Sequence, residues 1–145
     1  MEEIKISRHA FNLFVADLEE LNNKLEKIKI LSSEHPREYS GELDRLSSEI
    51  IKMQRLQNRF KVVDVVDGSQ ILQIGYTVLL KIDGESVEKT IDGYIYNKKT
   101  VITPFSPIGS KIINQEVGHT FTFGDGFIEI LNFFVKKTEP LLVPA

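Results

Sequence analysis

Apolar side chains recur at Phe11, Phe14, Leu18, Leu21, Leu25 and Ile28, a 3,4,3,4,3 spacing that lays one stripe along a helix and calls for a partner helix. The first arm is therefore predicted as a helix over residues 7 to 33, with Ser7 as N-cap because its hydroxyl can accept from an unpaired amide of the first turn. A break follows at Ser32-Ser33-Glu34-His35-Pro36-Arg37-Glu38. A second series, Tyr39, Leu43, Leu46, Ile50, Met53 and Phe60, then repeats the spacing with Gln57 in the seam, predicting a helix from about 39 to 60. Pro36 cannot continue the first helix and suits a turn or the first position of the next, so the arms should reverse into an antiparallel coiled-coil hairpin. At ~1.5 Å per residue, an arm of about 22–26 residues reaches roughly 33–39 Å.

From Lys61 onward the period changes. Val62 to Val66, Ile71 to Ile82, Glu88 to Tyr96, Thr100 to Ile102, His119 to Phe123 and Phe127 to Val135 are β-branched or aromatic runs and predict five or six strands in a mostly antiparallel sheet. Asp67-Gly68, Asp83-Gly84 and Gly124-Asp125-Gly126 supply the turns, since Gly and Asp tolerate positive φ. Pro107 to Gln115 predicts the one short helix of this half, covering a face of the sheet. Eight of the nine glycines fall after residue 60, in keeping with a helical first half and a turn-rich second. The class is α+β. The chain divides into a helical hairpin at 1–61, a linker or first strand at 62–70, a small β domain at 71–137 and a tail at 138–145.

Charge and composition narrow the function. Eighteen Lys and Arg against 21 Asp and Glu give a formal charge of -3, the wrong sign for general attraction to phosphates. Direct, sequence-specific nucleic-acid binding is not expected. With no cysteine there is no disulfide framework, thiol nucleophile or thiolate metal site, which fits a reducing compartment. Neither a secretory signal nor a membrane-spanning run is visible, so a soluble, cytoplasmic protein is expected.

Few groups point to chemistry. Glu34, Glu38, Glu42 and Asp44 stand against Arg37 alone at the tip of the hairpin. Two carboxylates at the end of a rod can complete the shell of a hard divalent cation supplied mostly by another molecule. The plain alternative is a solvated face, with acids near the start of the second helix favouring its dipole. His35 among them reads as an exposed loop histidine, and His9 and His119 lack a second ligand at a recognised spacing. No phosphate loop, nucleophile elbow or paired-histidine motif is present, so no catalytic apparatus of its own is expected. The remaining candidate is a surface, Thr103 to Lys111, in which Ser106 caps a helix begun by Pro107 and Gly109 permits close backbone approach. It reads either as a stiff strand-to-helix corner or as a docking site.

The order of parts, with Ser106-Pro107-Ile108-Gly109-Ser110-Lys111-Ile112-Ile113-Asn114-Gln115-Glu116-Val117-Gly118, resembles the Gre-type bacterial transcription elongation factors. Their signature there is a serine-proline-apolar-glycine corner, a short apolar helix and a valine-glycine pair entering a strand. Ile74 to Leu80 is similar to the strand that opens that domain, and Gly124 to Leu131 to its closing hairpin. The resemblance implies an FKBP-like second half that docks on RNA polymerase through Phe105, Ser106, Pro107, Ile108, Gly109 and Ile112, and a hairpin that enters the secondary channel. It implies no catalysis by the chain itself: acidic tip residues would share a magnesium ion with the polymerase, whose own active site cleaves backtracked RNA. The family's aspartate-leucine-serine-glutamate-asparagine tip is replaced here by Ser33 to Ser40, the arms look shorter, and the family's acidic loop is represented only by Ile91-Asp92-Gly93.

Several alternatives follow from the same features. A channel blocker would occupy the polymerase without promoting cleavage. A short-armed polymerase-associated regulator resembling the regulator of nucleoside diphosphate kinase would pair short helices with a similar domain. A peptidyl-prolyl isomerase would need an aromatic pocket, for which Tyr94, Tyr96, Phe105 and Phe121 are available. The expected state is a monomer or weak dimer, the latter formed by exposed heptad faces.

Overall fold

The computed structural model describes residues 2–136; the tail expected at 138–145 lies outside them. The order of elements is β1 (Ile4–Ser7), α1 (Arg8–Glu34), α2 (Pro36–Gln57), β2 (Phe60–Val63), β3 (Thr77–Ile82), β4 (Glu85–Ile91), β5 (Val101–Ile102), α3 (Pro107–Ile112), β6 (Thr120–Phe123) and β7 (Gly126–Phe134). The chain forms two compact units, one of Met1–Ile4 with Asn12–Lys61, the other of Lys5–Phe11 with Val62–Ala145.

In the first unit both arms are helical, as the heptads predict. Phe14, Leu18, Leu46 and Ile50 are buried on the two stripes, and Leu21, Leu25, Ile28, Tyr39, Leu43, Met53 and Gln57 are half-buried. The ring of Phe14 meets that of Phe60 edge to face at 4.9 Å, so the start of one arm lies beside the residues that follow the other and the arms run antiparallel. The reversal is tighter than expected. Instead of a break over residues 32 to 38, α1 continues to Glu34 and Pro36 already opens α2. Proline costs nothing there, because the amide it lacks has no intrahelical acceptor in the first turn. The second helix accordingly spans 36–57 rather than 39–60, and Phe60 belongs to a strand.

β1 was not foreseen. Its four residues pair with β2 in a two-stranded sheet, too short a segment to display a period.

The second unit carries five strands in the order β5-β4-β3-β7-β6. β3 pairs antiparallel with β4 and β7, and β6 with β7. β4 and β5 are parallel, Thr90 lying opposite Val101 and Ile91 opposite Ile102, so the sheet is mostly antiparallel, as expected, with one short parallel pair at its edge. The chain between them turns through Gly93 to Thr100 and returns in the same direction, which a run of residue types does not disclose.

Strand β3 begins at Thr77 rather than Ile71. Gly75 adopts φ +89, and a Cβ there would lie 2.4 Å from the Val65 side chain; a turn at this position ends the extended run. Leu72 instead bonds the segment after α3, donating to Gln115 O at 2.9 Å and accepting from Asn114 N at 2.8 Å. Asp83 and Gly84, with φ 51 and 87, form the predicted two-residue reversal between β3 and β4. Leu72, Tyr76, Val78, Leu80, Ile91, Ile112, Ile128 and Ile130 make the core. The Tyr76 hydroxyl donates to Val66 O and accepts from Ser69 N, so its burial leaves no polar atom unpaired.

Candidate functional site

Three places in the structure bear on function. The hairpin end lies in the first unit. Only His35 separates the helices; its N–H donates to Leu31 O at 2.8 Å and its carbonyl accepts from Glu38 N at 3.1 Å. Glu34, His35, Pro36, Arg37 and Glu38 are all exposed. Glu34 closes α1 and Glu38 sits in the first turn of α2, so this pair flanks the turn. Glu42 and Asp44 are exposed farther along α2, and Glu42 faces Arg45 at 3.8 Å. Among the described residues no three His, Asp or Glu side chains come together as a metal cluster. The tip could therefore donate one or two carboxylates to a cation held by another molecule, and not a full shell.

The corner at Ser106 is in the second unit. Ser106 has extended backbone (φ -65, ψ 158), its hydroxyl donates to Thr103 O at 2.7 Å, and it accepts from Gly109 N at 3.0 Å. This is the expected N-cap, with Pro107 at the first helical position. α3 ends at Ile112, three residues earlier than expected, because Ile113 (ψ 138) leaves the helical region and Asn114 turns to φ 65. Gly109 does permit a close approach, but from within: a Cβ would meet Thr103 O at 1.9 Å and Ser106 Oγ at 2.7 Å. Gly109 and Ile112 are buried, and Ile108 packs partly against the core. Outward lie Phe105, 60% exposed, and Pro107. Of the six docking residues, two present themselves to a partner and four hold them in place.

The third place was not signalled by the sequence. A cavity of about 330 Å³ in the second unit is lined by Ser7, Arg8, His9, Asp92 and Tyr96 among others. Asp92 is 1% exposed. It accepts from Ser7 N at 2.9 Å, Ser7 Oγ at 2.5 Å and Gly93 N at 2.8 Å. Ser7 Oγ also accepts from Ala10 N at 3.1 Å, as its cap role requires. Burial pushes the Asp92 carboxyl above its ordinary value, opposed by the Ser7 bonds, the Gly93 amide and His9. Burial and the neighbouring Asp92 charge likewise raise the Tyr96 hydroxyl, against a hydrogen bond from Thr90. His9 meets Tyr96 edge to face at 5.3 Å. The donors come from Ser7 and from Gly93 beside the carboxylate, so Asp92 ties two distant segments of the second unit together. Of the four aromatics considered for an isomerase pocket, Tyr96 alone lines this cavity, while Phe105 is exposed and Phe121 packs against the core.

No family model matches the chain, and no curated protein is similar to it. Similar solved structures include the GreA factor homolog 1 (Gfh1) protein of Thermus thermophilus, at 15% identity and a TM-score of 0.44 over 91% of this chain and 99% of that one. Gfh1 of Thermus aquaticus gives 17% and 0.42 over 92% and 99%. The transcription elongation factor GreA/GreB from Nitrosomonas europaea gives 17% and 0.40 over 90% and 98%. Identities and TM-scores at this level assign neither a family nor an activity. The described helices include none long and apolar enough to cross a membrane.

Proposed function

We propose that the protein is an RNA polymerase-binding regulator of transcription elongation. The second unit, FKBP-like in this reading, docks on the polymerase through Phe105 and Pro107, and the hairpin occupies the secondary channel. The observation that carries the reading is the pairing of an exposed hairpin end, with Glu34 and Glu38 on either side of a one-residue turn, with a corner whose Ser106, Gly109 and Ile112 fix two exposed residues on a rigid base. The stretch from Ser106 to Gly118 resembles the Gre-type pattern, and a partner-supplied metal suits an end that gathers at most two carboxylates.

The chain performs no catalysis of its own here. Glu34 and Glu38 are the carboxylates placed to share a magnesium ion with the polymerase and to aid its hydrolysis of backtracked RNA; without that reach the hairpin acts as a blocker. Core RNA polymerase at low salt should retain the chain, and joint Phe105→Glu and Pro107→Glu substitution should abolish retention while leaving the circular dichroism unchanged. Failure of the unaltered chain to bind core polymerase removes the proposal. In stalled complexes, Glu34→Ala with Glu38→Ala should reduce transcript cleavage more than Glu42→Ala with Asp44→Ala; cleavage no faster than polymerase alone assigns the blocking role.

A further inference from the structure

Among the described residues β6 ends the five-stranded sheet, with β7 on one side and no strand on the other. The alternation of an antiparallel ladder decides which of its groups face outward. Phe127 accepts from Asp83 N, and Ile130 exchanges bonds with His119 O and Gly118 N. Phe127 and Glu129 therefore turn their backbone toward β3, while Ile128 and Ile130 turn theirs toward β6. Thr122 and Thr120, the register partners of Phe127 and Glu129, accordingly point their N–H and C=O away from β7. Neither threonine's backbone meets a partner among the described residues. Phe121 and Phe123 hold the ladder to β7.

Such an edge is normally guarded by lysine, an inward charge, proline or a bulge. Here residues 117 to 124, Val-Gly-His-Thr-Phe-Thr-Phe-Gly, contain no Lys, Arg, Asp, Glu or Pro, and from Thr120 to Phe123 the pairing with β7 runs without a register shift. The restraints that remain are the four-residue length and a glycine bulge at its start, where Gly118 (φ 92) and His119 together oppose Ile130. Val117 at 53% exposure and Phe123 at 41% flank the strand.

We propose that β6 pairs antiparallel with β6 of a second copy, giving a two-fold dimer with one continuous sheet. The strand is self-complementary about Phe121: that axis sets Thr120 opposite the copy's Thr122, both turning open N–H and C=O groups into the gap, and sets Phe121 opposite its own equivalent on the other face. Cross-strand aromatic pairs of this kind stabilise antiparallel ladders. Because the segment carries no formal charge, two copies meet without like charges opposed. Four residues a side bury far less than the roughly 1,200 Å² of a stable interface, so the dimer is weak and concentration-dependent.

Sedimentation velocity of the full chain from micromolar to millimolar concentration, with amide hydrogen exchange on the same samples, tests this. Faster sedimentation at high concentration is expected, together with exchange at Thr120 and Thr122 slowed by about tenfold or more. Thr122→Pro removes an outward N–H without touching the ladder to β7, and Thr122→Lys adds the missing guard, so both should stay monomeric. A monomer at every concentration, or fast exchange at both threonines, overturns the proposal. So does a dimer that survives both substitutions, which belongs to another surface, or protection that arises only on adding core RNA polymerase to dilute chain, which assigns the edge to that partner.

Discussion

A carboxylate almost without solvent is the residue on which the second unit's stability should depend most visibly. Burial raises the Asp92 carboxyl above its ordinary value, so between the unfolded and folded values the native chain binds the extra proton. The stability this group contributes is full below the unfolded value and is lost as pH rises through the folded one. Asp92→Asn keeps an oxygen for Ser7 N and Gly93 N and cannot ionise. Denaturant midpoints should therefore show the Asn variant gaining on the unaltered chain as pH rises from below the ordinary carboxylate range to neutral. Asp92→Ala leaves those donors without an acceptor, at about 1–3 kcal/mol for each group unsatisfied, and should be the less stable variant at both. A constant difference between Asn and Asp across that range would contradict the raised value. The tie was illegible beforehand: Ser7 reads locally as an N-cap, which it is, but its partner lies 85 positions away, and Ile91-Asp92-Gly93 reads only as the counterpart of an acidic loop. Gly109 was legible as a close-approach position; that Thr103 O is what approaches depends on tertiary packing.

Helices announced themselves better than strands because the heptad stripe repeats over many turns, whereas a strand offers only a few alternations. Every stripe position from Phe11 to Ile28 and from Tyr39 to Met53 is buried or half-buried, Pro36 takes the first position of α2, one of the two places it suits, and the errors lie at the helix ends, where the break is shorter than expected and Phe60 belongs to a strand. Off the stripe the same residue types stay wet: Ile51 is 47% exposed while Leu46 is 2% exposed. Truncation should follow that difference. Leu46→Ala should cost about 2–5 kcal/mol, since the seam loses the buried methyl groups and keeps a cavity, while Ile51→Ala should lie within about 0.5 kcal/mol of the parent. Urea unfolding followed by circular dichroism at 222 nm measures both; equal losses would mean that the stripe does not define the seam. In the sheet, the Asp83-Gly84 and Gly124-Asp125 reversals fell where turn chemistry put them, but the parallel β4–β5 pair came from the return of the chain through Gly93 to Thr100, and the late start of β3 from the turn at Gly75 and the long-range bonds of Leu72.

At the scale of the whole chain, sequence order and folding unit are not the same. The second unit takes Lys5–Phe11 together with everything from Val62 onward, so a cut at residue 61, where composition changes, leaves that unit without a segment of its own. The missing piece is energetically substantial. Ile6 is 0% exposed, worth about 1.5–3 kcal/mol for a side chain of its size, and Ser7 supplies two of the three hydrogen bonds to Asp92. A fragment of residues 62–145 should therefore unfold at lower denaturant concentration than a permuted chain in which residues 4–11 are joined to its start by a flexible linker. Ile6→Ala and Ser7→Ala in the permuted chain should each return part of the loss, through different causes: removed apolar burial in one, a carboxylate stripped of a donor in the other. Equal midpoints for the fragment and the permuted chain would mean that Lys5–Phe11 contributes nothing to the unit it is assigned to, and that Asp92 finds its compensation in solvent.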